Sequence, residues 1–143
     1  NGVDYFTYQA SSVNGTSDLV QVDLSIAAVD DAPAALADSY NAVQNTELVV
    51  SSANGVLKND SDVDGDALTA VVDSSVQHGT LTLNADGSFS YSPATDFTGA
   101  DSFSYHVTAG ALSSLEVTVS INVLPGIPVT GGDILIYLPI LLR

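Results

Sequence analysis

The sequence predicts an all-β protein, an antiparallel β-sandwich, and three observations carry the prediction. Apolar and polar side chains alternate over most of the chain. No stretch sustains the 3.6-residue period of a helix, and the alternating runs are short and parted by Gly, Asn and Asp. A strand that alternates in this way buries one face and wets the other. That suits a sandwich better than a parallel sheet covered on both sides.

The runs themselves are easily placed. Val20, Val22, Leu24 and Ile26 alternate with Gln21, Asp23 and Ser25. Leu81 and Leu83 lead through Asn84-Ala85-Asp86-Gly87 into Phe89 and Tyr91, a hairpin with its turn glycine. Phe103, Tyr105 and Val107 alternate with Ser102, Ser104 and His106. Leu115, Val117, Val119, Ile121 and Val123 alternate with Glu116, Thr118, Ser120 and Asn122.

An internal repeat organises these strands. Gly2-Val3-Asp4-Tyr5-Phe6-Thr7-Tyr8 matches Gly99-Ala100-Asp101-Ser102-Phe103-Ser104-Tyr105. With a slightly longer hairpin loop, Leu19 to Ile26 matches Ser114 to Ile121. Residues 1–31 therefore read as the closing hairpin of a preceding or incomplete repeat, 32–124 as a complete repeat, and 125–143 as a linker with an apolar tail strand. No leader segment is visible and Asn1 falls inside a strand pattern, so the chain is expected to be part of something longer.

The segment Asp60-Ser61-Asp62-Val63-Asp64-Gly65-Asp66 is the sharpest local signal. Carboxylates at alternate positions around a glycine can turn several hard oxygens onto one cation, as calcium requires. Asp and Gly are also ordinary turn formers. Four carboxylates in seven residues nevertheless repel one another unless a cation neutralises them, so calcium is the expected ligand. The loop is not an EF-hand, because Val71 stands at its twelfth position and no helix flanks it.

Several motifs, taken in order, carry a family resemblance. Val29-Asp30-Asp31-Ala32-Pro33 with Ala37-Asp38-Ser39-Tyr40 comes first, then Gly55-Val56-Leu57-Lys58-Asn59-Asp60 running into the acidic loop. His78-Gly79-Thr80-Leu81, Asp86-Gly87-Ser88-Phe89-Ser90-Tyr91 and Asp101-Ser102-Phe103-Ser104-Tyr105 follow. The chain resembles the bacterial cadherin-like, immunoglobulin-like tandem repeats of large surface adhesins and secreted repeat proteins. The resemblance implies an immunoglobulin-like sandwich, an extracellular cell-surface setting, and stalks often hardened by calcium. It also implies a cation at the repeat junction, where Asp30 and Asp31 would join the loop. Related repeats often carry an Asp shortly after the aromatic strand. Here Thr108-Ala109-Gly110 occupies that place, and Ser11-Ser12 does so in the first copy.

Charge excludes other classes of function. Seventeen acidic residues face two basic ones, Lys58 and Arg143, for a formal charge of −15, so nucleic acid and anionic membranes are repelled and cations attracted. With no Cys there is no disulfide, zinc thiolate or thiol nucleophile. His78 and His106 sit in no metal or nucleophile motif and read as structural. No serine occupies a nucleophile elbow, and the chain is not expected to be an enzyme. Asn14-Gly15-Thr16 and Asn59-Asp60-Ser61 fit the glycosylation sequon.

Beyond Leu124 the pattern changes. Ile127-Pro128-Val129-Thr130-Gly131 resembles a sortase sorting signal with Ile in the leading position, and an apolar stretch closed by Arg143 follows. The stretch is about half a membrane span, so no span is expected. Its apolar residues on both faces need cover, and the half-repeat at the other end of the chain needs strands. Head-to-tail homopolymerisation by strand donation is the expectation. Ile134, Ile136, Leu138 and Ile140 would enter a neighbour's half-repeat at Tyr5, Tyr8, Val20 and Val22, although the tail could also fold back on its own domain. The sequence thus reads as a structural or adhesive module, with calcium as cofactor and further copies of itself as partners. Its rivals are a carbohydrate- or protein-binding module on an adhesin, and an accessory domain of a secreted enzyme.

Overall fold

The computed structural model describes residues 2–127. In chain order the strands are β1 (Gly2–Tyr8), β2 (Ser11–Ser12), β3 (Gly15–Thr16), β4 (Val20–Ile26), β5 (Asp38–Val43), β6 (Leu48–Val50), β7 (Leu68–Ser74), β8 (Gly79–Leu83), β9 (Phe89–Pro93), β10 (Gly99–Ala109), β11 (Leu112–Ser113) and β12 (Val117–Leu124). Two short 3-10 turns, Ser52–Asn54 and Val56–Asn59, lie between β6 and β7. The fold is the all-β sandwich that alternation predicts.

One sheet is built on β10, which pairs antiparallel with β7, with β12 and with the short β11. The strand β5 closes this sheet against β12, and that ladder is parallel, a departure from the all-antiparallel expectation. The other sheet runs β6-β9-β8. It contains the expected β8–β9 hairpin, in which Leu83 pairs with Phe89 and Leu81 with Tyr91.

The inward faces of the two sheets make the core. Phe89, Tyr91, Phe103, Tyr105, Val107, Val119, Ile121 and Val123 are all buried. Phe89 packs edge-on against Tyr40 at 4.9 Å and against Phe103 at 5.6 Å between ring centroids, geometries that suit the ring quadrupoles. Val56 reaches the same core from its 3-10 turn, and a close approach of two backbones lets it in. A Cβ on Gly55 would stand 2.2 Å from the Gly87 carbonyl oxygen, and the Val56 N–H donates to that same oxygen. Leu115 departs from the alternation. It falls in the connection between β11 and β12 and is exposed, because the strand resumes only at Val117.

Two buried polar groups on β10 tie the layers together. The Asp101 carboxylate accepts from the backbone N–H groups of Gln77, His78 and Ser102 and from the Tyr91 hydroxyl, each at 2.9 Å. Burial alone would raise its pKa, but these donors outweigh burial and hold the carboxyl below its ordinary value. Four residues further along β10, the Tyr105 hydroxyl lies 2.9 Å from both the Val56 carbonyl and Asp60 Oδ2. Asp38 Oδ2 and the Leu36 carbonyl are each 3.3 Å away.

The first copy forms a separate hairpin, β1 with β4, continued at its tip by β2 and β3. Its register repeats that of β10 with β12. Tyr8 faces Val20 as Tyr105 faces Val117, and Phe6 faces Val22 as Phe103 faces Val119. Even the tip bonds recur. The Ser17 hydroxyl accepts from Ala10 N–H as that of Ser114 accepts from Val107 N–H. The offset is 97 in both strands (99 against 2, 117 against 20), so the two hairpin loops have equal length. This corrects the sequence alignment: Val20 matches Val117, and no extra loop residues intervene.

Asp101→Ala would leave four donors without their acceptor, the Tyr91 hydroxyl among them in the core. The urea midpoint should fall by the equivalent of about 3–5 kcal/mol, against about 1–2 kcal/mol for Tyr91→Phe, which removes one donor of four. Equal losses for the two variants would show that the carboxylate does not organise this cluster.

Candidate metal centre

The acidic loop opens where the second 3-10 turn ends. Asp60 closes that turn, its N–H bonded to the Leu57 carbonyl, and the chain then runs through Ser61 to Asp66 before β7. The linker from the hairpin is stapled to this loop by a two-bond bridge. Ala34 N–H donates to the Ser61 carbonyl at 2.8 Å and Ser61 N–H donates to the Ala34 carbonyl at 3.1 Å. The staple brings Asp30 and Asp31 alongside the loop. Asp31 N–H donates to Asp64 Oδ2 at 2.8 Å.

Inside the loop, Asp62 Oδ1 accepts from the N–H groups of Asp64 at 3.0 Å and Asp66 at 3.2 Å. Its other oxygen, Oδ2, is shielded from solvent and has no hydrogen-bond partner. A buried carboxylate oxygen without a donor is unfavourable unless a cation meets it. Asp30 feels the same crowding, since partial loss of hydration and then the charges of Asp66, Asp64, Asp62 and Asp31 push its carboxyl up. On the β10–β11 turn, a Cβ on Gly110 would lie 3.4 Å from Asp66 Oδ2 and 3.8 Å from Asp30 Oδ2. The missing acid of the Thr108-Ala109-Gly110 segment would therefore have stood beside this cluster.

Among the described residues no three acidic or histidine side chains converge as a ready ligand set. The donor chemistry fits calcium: hard carboxylate oxygens, one of them orphaned, on a loop and the linker stapled to it. Asp62, Asp64, Asp66, Asp30 and Asp31 are the residues that would hold the ion.

Asp60 belongs elsewhere. Its carboxylate accepts from Leu36 N–H at 2.8 Å and faces the Tyr105 hydroxyl. Sequence spacing grouped it with Asp62, but the 3-10 turn before it aims its side chain into the fold beside Asp38. Burial raises the Asp60 carboxyl, opposed by the Leu36 N–H and the Tyr105 hydroxyl. Burial likewise pushes Asp38 up to about 6, against its hydrogen bonds with Tyr105 and Asn59.

Neither histidine approaches the loop. The His78 ring stacks on Phe97 at 4.3 Å, and His106 Nδ1 lies 2.8 Å from Asp73 Oδ1. Of the expected assembly residues, Tyr8, Val20 and Val22 share one face of the β1–β4 hairpin. Tyr5, paired with Asp23, lies on the other. Phe6 shares the face with Tyr8 and Val22, and strict alternation could have identified it. Ile134, Ile136, Leu138 and Ile140 lie outside the described residues. Among those residues no helix is long and apolar enough to cross a membrane.

Comparison with known proteins decides the family. The bacterial cadherin-like domain matches residues 30–125. The chain belongs to that family. Cadherin-like domains of bacteria are modules of extracellular and surface proteins, of an adhesion type. Among solved structures, the EC1-2 fragment of human mucin-like protocadherin is similar with a TM-score of 0.54 at 19% identity, over 87% of this chain and 69% of that one. It shares the fold. An endo-fucoidan hydrolase, MfFcnA4 of glycoside hydrolase family 107, matches at 20% identity with a TM-score of 0.48. The match covers 94% of this chain and 20% of the hydrolase, so the cadherin-like chain spans about a fifth of that enzyme. No curated protein matches the sequence.

The acids set a pH dependence whose sign can be worked out. Asp38 titrates near 6 in the folded chain against an ordinary 3.8, so the native state holds this proton more tightly than the unfolded state. Its contribution is fully present below 3.8 and lost as pH rises through 6. Asp101, held low, acts in the opposite sense and is lost on stronger acidification. Calcium-free protein should melt higher at about pH 5 than at about pH 7, and Asp38→Asn should flatten that difference in a calorimetric scan.

Proposed function

We propose that this chain is a non-enzymatic structural module of a surface stalk or filament, stiffened by calcium where the linker from the hairpin meets the complete repeat. The observation that carries the reading is the orphaned Asp62 Oδ2, set among Asp30, Asp64 and Asp66 at that junction. A divalent ion there would bridge linker and loop, replacing mutual repulsion with a shared counter-charge and fixing the angle between hairpin and sandwich. The net charge of −15 favours cation uptake at such a site.

Assembly through the unfinished hairpin is part of this reading. An extended apolar segment could be donated to its open edges, and Ile134, Ile136, Leu138 and Ile140 belong to one such segment. Head-to-tail joining of copies would follow, with no nucleic acid or membrane involved. Deleting residues 133–143 should leave the sandwich folded and reduce association in sedimentation runs.

Millimolar calcium should raise the melting temperature by mass action, and EDTA should reverse the rise. Asp62→Asn combined with Asp64→Asn should abolish the response and leave the calcium-free melting temperature within a few degrees of the parent. A melting curve indifferent to calcium and EDTA, with no binding heat by titration calorimetry, would sink the calcium reading.

A further inference from the structure

We propose that Asn14 is a site of spontaneous modification: the fold leaves the Asn14-Gly15 pair able to lose ammonia through a cyclic imide, while it locks the Asn54-Gly55 pair. Asparagine followed by glycine is open to this chemistry, because no Cβ shields the attacking nitrogen and the backbone bends readily. The Gly15 amide nitrogen gives up its proton and bonds to Asn14 Cγ. The Cγ–Nδ2 bond breaks, and the leaving nitrogen takes up that proton and departs as ammonia. Water, the one co-reactant, then opens the five-membered ring at either carbonyl, leaving Asp or an isoaspartyl link at position 14.

The chain has three such pairs, and the first, Asn1-Gly2, begins outside the described residues. Asn14 lies in the two-residue turn between β2 and β3, where Val13, Asn14 and Gly15 are all exposed. The turn's bonds run through the Ser12 hydroxyl, which accepts from Asn14 N–H at 3.2 Å and donates to the Gly15 carbonyl at 3.4 Å. Among the described residues the Asn14 side-chain amide has no partner to hold it. Nothing stands within 4 Å of a Cβ built on Gly15, so the ring has room to close. Only two residue pairs hold the tip, Ser11 with Thr16 and Ser12 with Gly15, and opening them disturbs no core. The exposure belongs to the turn itself, since Ala111, the equivalent residue of the complete repeat, is exposed too.

Asn54-Gly55 is held on several sides. Gly55 N–H donates to the Ser52 carbonyl at 3.2 Å, and the Asn54 carbonyl accepts from the Tyr40 hydroxyl at 3.0 Å. The Asn54 side-chain oxygen accepts from Lys58 Nζ at 3.5 Å. Gly55 itself is buried against the Gly87 carbonyl, so turning its nitrogen onto Asn54 Cγ would pull apart the backbone contact that admits Val56 to the core. Sequence alone gives Asn14 no advantage. Glycine follows both asparagines, and the stiff β-branched Val13 precedes Asn14 where Ala53 precedes Asn54. Either product adds a carboxylate at the tip of the first hairpin. The isoaspartyl link also lengthens the main chain by one carbon there, which upsets the pairing of Ser12 with Gly15.

Peptide mapping by mass spectrometry, on the full chain held in mildly alkaline buffer with and without urea, tests the assignment. In the folded protein Asn14 should convert at least about 10-fold faster than Asn54, and urea should bring the two rates together. The Asn14 peptide should yield both Asp and isoaspartyl forms, while Asn14→Gln should leave that peptide unmodified over the same period. Conversion of Asn54 as fast as that of Asn14 in the folded chain would overturn the proposal. So would a preference for Asn14 that persists undiminished in urea, since the fold would then not be what distinguishes the two pairs.

Discussion

Burial of the Tyr105 ring on the inward face of β10 confronts the fold with a hydroxyl in its core, and such a group needs partners. The partners come from the segment before β5, from β5 itself, from the 3-10 turn and from the residue that ends it. One hydroxyl carries one proton, so the four oxygens around it cannot all be satisfied by Tyr105 alone. Below about pH 6 a second proton on Asp38, whose carboxyl is pushed up to about 6 by burial, would ease that shortage. The arrangement fixes the course of the chain from Leu36 to Asp60. Because Asp60 is pinned there, the next residues must turn outward, and the outward turn is the acidic loop.

The acids of this chain meet two different environments. Asp101 and Asp86 are solvated by the protein itself, through N–H and hydroxyl donors that hold their carboxyls low. Asp30 and Asp62 face other carboxylates across a short gap, and the protein offers Asp62 Oδ2 no donor at all. Asp101 stabilises the sandwich from within, and Asp86 orders the exposed β8–β9 turn through Ser88. The second group leaves like charges crowded at the junction, a repulsion that a bound cation would offset.

Period-two alternation made the strands legible, because burial on one face is imposed residue by residue. The β8–β9 hairpin was equally plain, since Gly87 adopts a positive φ of 80° between two alternating runs. The repeat was visible too, but its second strand was misaligned, because a hairpin loop contains no hydrophobic period to count by. Alternate spacing grouped Asp60 with Asp62, an inference that holds on a strand and fails here because Asp60 is the cap of the preceding 3-10 turn, with its carboxylate bonded to Leu36 N–H and the Tyr105 hydroxyl. The Ala34–Ser61 staple that brings the linker to the loop is backbone pairing between distant residues, and no side chain announces it. Asp101 could have been found, since an Asp in phase with Phe103 and Tyr105 must face inward and therefore needs donors.

The parallel ladder between β5 and β12 bears on how the module carries tension. The chain enters the sandwich at Asp38 and leaves it at Leu124, and the register from Asp38 opposite Val119 to Val43 opposite Leu124 places these points at opposite ends of one ladder. A pull on the two ends slides the strands along each other, so all the ladder's hydrogen bonds are strained together and must fail together. The β1–β4 hairpin has Gly2 and Ile26 side by side, and the same pull would open it one pair at a time. The complete repeat is thus a mechanical clamp in series with a zipper, and the zipper would give way first.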